Sequence, residues 1–121
     1  MYVFVSGSRS IRTLPATATV SLDRIMTRGF TVLVGDCYGV DDMVQRYLAG
    51  RQYAHVLVYH IGDRPRHNQG FRTIRVGGSR QTDKDAAMAR AADYGLAIWD
   101  GASAGTRKNI ERVALTKVIR A

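Results

Sequence analysis

The sequence predicts an α/β fold, a single Rossmann-like three-layer sandwich on a mainly parallel sheet. Three observations carry that prediction. Four short runs are almost continuously apolar, as strands buried on both faces must be. Stretches with apolar residues at helical spacing stand between them. The chain has 121 residues, 45% hydrophobic and 23% charged, which is the size and composition of one domain. Its strands therefore share one sheet, with helices on both faces and right-handed crossovers.

In chain order, the strand-like runs are YVFVS (2–6), TVLVG (31–35), AHVLVYH (54–60) and GLAIW (95–99). The first helical pattern is Leu14, Ala18, Leu22, Ile25 and Met26, and the second is Met43, Val44, Tyr47 and Leu48. A third runs through Met88, Ala91 and Ala92, and a fourth through Ile110, Val113, Ala114 and Val118. The segment FRTIRV (71–76) reads equally as a short strand or a loop. No apolar run approaches the roughly 18 residues of a membrane span. The N-terminal MYVFVSGSR has neither a basic leader nor a small-residue cleavage site, so the chain is expected to be cytoplasmic, without membrane association. Cys37 is the only cysteine and has no neighbour at metal-ligand spacing; it reads as a small loop residue.

If these strands are parallel, the loops leaving their C-terminal ends share the edge where open α/β sheets bind ligands. Three of those loops contain glycine: SGSRS (Ser6 to Ser10), GDCYGVD (Gly35 to Asp41) and DGASAGT (Asp100 to Thr106). Glycine lets a backbone approach an anion, and a helix N-terminus behind it offers free N–H groups and a positive dipole end. Each loop is expected to lead toward such a helix, so the three together predict one phosphate-bearing ligand. The dinucleotide pattern GxGxxG and the P-loop pattern GxxxxGK[ST] are both missing.

Charge points the same way. Lys and Arg total 18 against 10 acids, giving +8 and a pI near 10.3, and fifteen of the 18 are arginines. Guanidinium groups grip phosphate with paired hydrogen bonds. Arg9 in the first loop is the expected phosphate clamp. Asp41 is expected to cap the second helix or accept a bond from a ribose hydroxyl, and Ser103 and Thr106 to cap the last helix or contact phosphate. Thr82 and Asp83 read as N-caps of the third helix, which makes Lys84 a cation at the wrong end of a dipole. Lys84 and Arg80 are therefore taken as pocket cations. His60 reads as a satisfied structural histidine, His67 and Asn68 as a lid in an arginine-rich loop, Met88 and Trp99 as core, and Tyr38 as a possible stacking surface for a base.

The segments GSR after the first strand, GDCYGVD after the second, KDAAM at 84–88 and ADYGLAIWDGASAGTRKNI at 92–110 together resemble the SLOG superfamily. That group contains the DprA/Smf and LOG proteins, and the likeness is to its YspA-type branch, over residues 3 to about 118. The resemblance implies a single nucleotide-binding domain over 1–121. Its pocket would be lined by Gly7, Ser8, Arg9, Gly35, Gly39, Asp41, Gly101, Ser103, Gly105 and Thr106. It also implies helices that pack across a two-fold, so a homodimer is among the expected partners. The LOG hydrolases carry PGGxGTxxE; here Asn109 falls at the glutamate, three residues after Thr106. An amide cannot act as the carboxylate base, and Glu111, two positions on, lies about 200° around the helix. Asp36 beside Gly35 adds a negative charge that could orient a sugar hydroxyl or pair with Arg9.

Three functions follow as expectations, none needing a metal or cofactor. The first is binding of a nucleotide or ADP-ribose-like ligand, as a sensor. The second is an N-glycosidase or deoxyribosyltransferase-like enzyme using Asp41, Asp85 or Asp100. The third is single-stranded DNA binding, for which Arg64, Arg66, Arg72, Arg75 and Arg80 supply charge.

Overall fold

The computed structural model describes residues 1–121. Its elements run β1 (Tyr2–Gly7), α1 (Ala16–Thr27), β2 (Thr31–Gly35), α2 (Val40–Gly50), β3 (Val56–Ile61), β4 (Arg72–Val76), α3 (Gln81–Ala91), β5 (Tyr94–Trp99), α4 (Ala104–Arg112) and β6 (Thr116–Arg120). The strands form one sheet in the order β4-β3-β2-β1-β5-β6, and every neighbouring pair is parallel. The α/β sandwich expected from the sequence is present, and the sheet is parallel throughout.

The apolar runs divide between two faces because successive side chains of a strand alternate. Val3, Val5, Val32, Val34, Val56, Val58, Leu96 and Ile98 pack with Ala18, Leu22 and Ile25 of α1 and Val40, Val44 and Leu48 of α2. On the opposite face Phe4, Leu33 and Tyr59 meet Met88 of α3 and Val113 just beyond α4. Two helices thus cover each face. Leu22, Leu33 and Leu48 are fully buried, and each such side chain stabilises the fold by about 1.5–3 kcal/mol.

Two segments depart from simple periodicity. FRTIRV is settled as a strand: β4 pairs with β3 from Leu57↔Arg72 to Ile61↔Val76. The fourth helix was expected to reach Val118, but it ends at Arg112 and Thr116–Arg120 is a sixth strand. The β-branched residues Thr116, Val118 and Ile119 favour extended backbone, and the free edge of β5 supplies a partner over five residues, Gly95↔Thr116 to Trp99↔Arg120. Pairing overrides the weak helical pattern. Ile119 joins the α1-side core while Val118 faces outward.

Residues 62–71 cross from β3 to β4 without a helix, so other contacts must hold that crossover. Gln45 of α2 is fully buried, and its Nε2 donates to the carbonyls of Gly35 (3.0 Å) and His67 (3.1 Å) while its Oε1 accepts from the Gln69 amide (3.0 Å). A buried amide satisfied in this way is a structural clamp. Asn68 closes the far end of the crossover through paired bonds to Phe71, each 2.9 Å.

Candidate functional site

Strand order reverses between β1 and β5, so the loops leaving those strands diverge and open a crevice at the C-terminal edge. A pocket of about 420 Å³ lies there. One wall is Gly7, Ser8, Arg9 and Ser10 after β1; a second is Cys37, Tyr38 and Asp41 at the start of α2. Gln81, Thr82, Lys84 and Asp85 come from the first turn of α3, and Asp100, Ser103, Gly105, Thr106 and Asn109 from the loop after β5 and the start of α4. Three helix N-termini therefore meet around one cavity. They are not the three that the glycine loops predicted. The first loop has no helix directly behind it, since α1 begins only at Ala16, after Pro15; α3 supplies the third N-terminus instead.

Nine of the residues expected to bind the phosphate or its nucleoside line this pocket, Gly7, Ser8, Arg9, Asp41, Lys84, Asp100, Ser103, Gly105 and Thr106, and so do the candidate carboxylate Asp85 and the candidate stacking residue Tyr38. Gly35, Asp36, Gly39, Arg80 and Gly101 do not, and each has a structural reason. A β-carbon on Gly35 would sit 2.5 Å from Asp41 Oδ2 and 3.0 Å from Lys84 Nζ, so this glycine makes room for two side chains. Gly39, at φ +84°, lies where any β-carbon would press on the Arg9 backbone at 3.2 Å; it joins the first loop to the second. Gly101 lies against the Arg120 guanidinium. Arg80 is the exposed N-cap residue of α3, and its amide donates to Asp83 Oδ2 at 3.1 Å. Thr82 and Asp83 thus fall inside the first turn and are not N-caps.

Asp36 is the largest correction. It neither pairs with Arg9 nor faces the pocket; it is 1% exposed beneath it. Its carboxylate accepts from the Arg66 amide (2.9 Å), from Arg66 Nη2 (3.0 Å) and from Lys84 Nζ (3.1 Å). Burial pushes its pKa up, but the bonds from Arg66 and the charge of Lys84 outweigh that and hold it well below the usual carboxylate range. Lys84, also 1% exposed, gains a bond to Gln81 Oε1 at 2.7 Å. The predicted pocket cation is therefore present but neutralised by an acid underneath it.

The start of α4 is the part of the wall best suited to an anion. Ser103 occupies the N-cap position but makes no cap bond, contrary to its expected role. Its hydroxyl pairs with Ser8 Oγ at 2.7 Å instead. Ser8 is buried, accepts from the Asp100 amide at 3.1 Å and lies 3.5 Å from Thr106 Oγ1. The first backbone bond of the helix runs from the Arg107 amide to the Ser103 carbonyl, leaving the amides of Ala104, Gly105 and Thr106 with no acceptor in the protein. A β-carbon on Gly105 would meet nothing within 4 Å. Gly105 does not have positive φ; what it offers is open space.

The same pocket holds three carboxyls. Asp100 takes bonds from the Ser10 hydroxyl (2.6 Å) and from the Ser103 and Ala102 amides (2.8 Å each), which keep its pKa well below the ordinary value. Asp41 does not cap α2; its Oδ2 turns back to accept from the Cys37 amide at 3.2 Å. Burial pushes its pKa up to about 6, against the lowering by Lys84 and the Cys37 amide and helped by repulsion from Asp85 and Asp36. Burial likewise raises Asp85, although Lys84, Asn109 and Arg112 oppose it. Asn109 Nδ2 donates to Asp85 at 3.3 Å. Glu111 is exposed and lies outside the pocket.

Arg9 is exposed, with Nη2 3.7 Å from Cys37 Sγ and its guanidinium 5.4 Å from the Tyr38 ring centroid; no carboxylate pairs with it. Tyr38 stands exposed on the rim. Trp99 is half-buried and donates to the Ser103 carbonyl at 3.1 Å, fixing the loop without lining the pocket. His67 and Asn68 belong to the 62–71 crossover and do not form a lid over the cavity. His60 is buried, but its Nδ1 has no partner, so it is not the satisfied histidine expected. Sequence reasoning passed over Ser10 and Gln81. Ser10 lies in the first glycine loop, SGSRS, whereas nothing local marks Gln81, whose position depends on α3 docking beside α4. No protein-family model, curated protein or solved structure matches this chain.

Proposed function

We propose that the protein binds a phosphorylated nucleoside, a nucleotide or an ADP-ribose-like derivative, in the crevice between the β1 and β5 loops, as a SLOG-type sensor module. The single observation that carries this reading is the uncapped start of α4 facing the pocket beside Arg9. Three unpartnered amides and a dipole's positive end are a phosphate site by their chemistry. Arg9, which has no carboxylate partner, adds the charge-assisted bond. Asp41 and Asp85 are acceptors for ribose hydroxyls, and the volume suits a nucleotide-sized ligand.

A second reading rests on Asp41, whose pKa of about 6 lets it exchange protons near neutral pH, with Asp85, also raised by burial, lining the same pocket. It makes the same pocket an N-glycosidic hydrolase or transferase. One experiment separates the two. Calorimetry with a panel of nucleotides and ADP-ribose derivatives reads binding, and chromatography of the same mixtures reads release of free base. Saturable binding without base release supports the sensor. Turnover on the order of 1–10³ s⁻¹ would establish the enzyme. Binding of single-stranded DNA in preference to every nucleotide, falling steeply with salt, would overturn both.

A further inference from the structure

A second cavity, of about 370 Å³, opens at the opposite edge of the sheet, between the C-terminal half of α1 and the starts of β1, β5 and β6. It exists because α3 and α4 both lie on the other face, so α1 alone shields this side of β5 and β6. Its floor is Val3, Ile25 and Leu96. Phe30 and Tyr94 form one wall, their rings 6.2 Å apart and inclined by only 21°.

Arg24, Arg28 and Lys117 stand around the cavity, and none of its lining residues is acidic. Lys117 Nζ is steadied by a bond to Ser21 Oγ at 3.0 Å. The nearby acids are committed elsewhere: Asp23 to the Tyr47 hydroxyl (2.7 Å) and Arg51, Asp93 to the Tyr2 amide (2.8 Å). Neither Arg24 nor Arg28 has an ion-pair partner. Three like charges over an apolar floor raise the local potential, and an anion relieves it. The α1 C-terminus opposes an anion with about half a negative charge, which three full positive charges outweigh.

We propose that this cavity binds a small aromatic monoanion, an aryl carboxylate, with its ring against Phe30 and Tyr94 and its head group among Arg24, Arg28 and Lys117. The apolar floor disfavours a bare inorganic anion, because such an ion keeps its hydration only in water. The two aromatic rings of the wall favour a further ring, in stacked or edge-to-face contact, over an alkyl chain. This site is independent of the nucleotide crevice, sharing no lining residue with it.

The test is a fluorescence titration of the full chain with 2-naphthoate, beside its neutral amide and decanoate. Expected is saturable one-to-one binding, about ten-fold or more weaker for the amide, which lacks the charged contact, and weaker also for decanoate. Arg24, Arg28 and Lys117 are exposed, so their loss leaves the fold intact. The double variant Arg24→Gln/Arg28→Gln and the single variant Lys117→Gln should each weaken naphthoate by about ten-fold, with melting temperatures checked alongside. Arg9→Ala should leave it unchanged. Absence of binding, equal affinity for the neutral amide or for decanoate, or insensitivity to all three cations would overturn the proposal. So would loss of naphthoate binding in Arg9→Ala, since that places the ligand in the other pocket.

Discussion

Gly105→Val separates ligand binding from folding more cleanly than any other substitution in the crevice. Gly105 is the second residue of α4, without positive φ, and an added β-carbon meets no protein atom within 4 Å. In a helix valine is a few tenths of a kcal/mol better than glycine, so stability should hold or rise by about 0.3 kcal/mol. For a domain of this size that is a melting-temperature change of about 2 °C or less. A phosphate on the α4 amides would instead collide with the branched side chain. Loss of one charge-assisted hydrogen bond costs about 1.5–3 kcal/mol, or roughly ten- to a hundred-fold in affinity. The assay pairs thermal melts of the free protein with calorimetric titration of whichever nucleotide binds the parent. A variant that melts like the parent and binds like the parent refutes the α4 anion site. A drop in melting temperature beyond about 10 °C refutes the claim that the position is open.

Arg9→Ala should weaken nucleotide binding by about 1.5–3 kcal/mol at unchanged melting temperature, since Arg9 is exposed; calorimetry reads it. Asp36→Asn removes the carboxylate under Lys84 and should cost about 3–5 kcal/mol in denaturant melts near neutral pH, toward the lower end because Gln81 still holds the ammonium. Because the folded-state pKa of Asp36 is depressed, its contribution is present above the unfolded value of about 4 and lost below it, so parent and variant should converge as pH falls under about 4. Asp41 behaves oppositely. Its pKa is raised to about 6, so its ionised form costs stability, and Asp41→Asn should gain on the parent as pH rises from about 4 through 6 and then level off. A constant difference across that range in denaturant melts would show that Asp41 is solvated like a surface carboxylate.

Much of the edge that forms the crevice was legible because its signals are short-range. The runs at 2–6, 31–35 and 95–99 became β1, β2 and β5, and the loops that follow them border one pocket because those three strands are neighbours. Ser8, Arg9, Asp41 and Ser103 reached the pocket for that reason. Glycine was the weaker guide. A β-carbon on Gly7 would overlap the Val40 side chain, so its absence lets β1 pack against α2, a requirement that looks the same in sequence as an anion cradle.

Pairing between distant residues was not legible. Lys84 was identified as a cation out of place in a first turn, but its partner Asp36 lies 48 residues away and is reached only because α3 docks across β2. Arg80 and Gln81 are adjacent, yet the helix turns Gln81 inward to Lys84 and Arg66 and leaves Arg80 in solvent. The sequence by itself determined which segments are strands with two buried faces, and that glycine loops and an arginine leave their C-terminal ends, because side-chain periodicity and backbone permissiveness are properties of neighbouring residues. Only the tertiary structure decided that 116–120 is a strand, that the buried ammonium is neutralised from below, and that α4 opens uncapped onto the pocket. Each of those depends on which surface a segment meets after the sheet has ordered its strands.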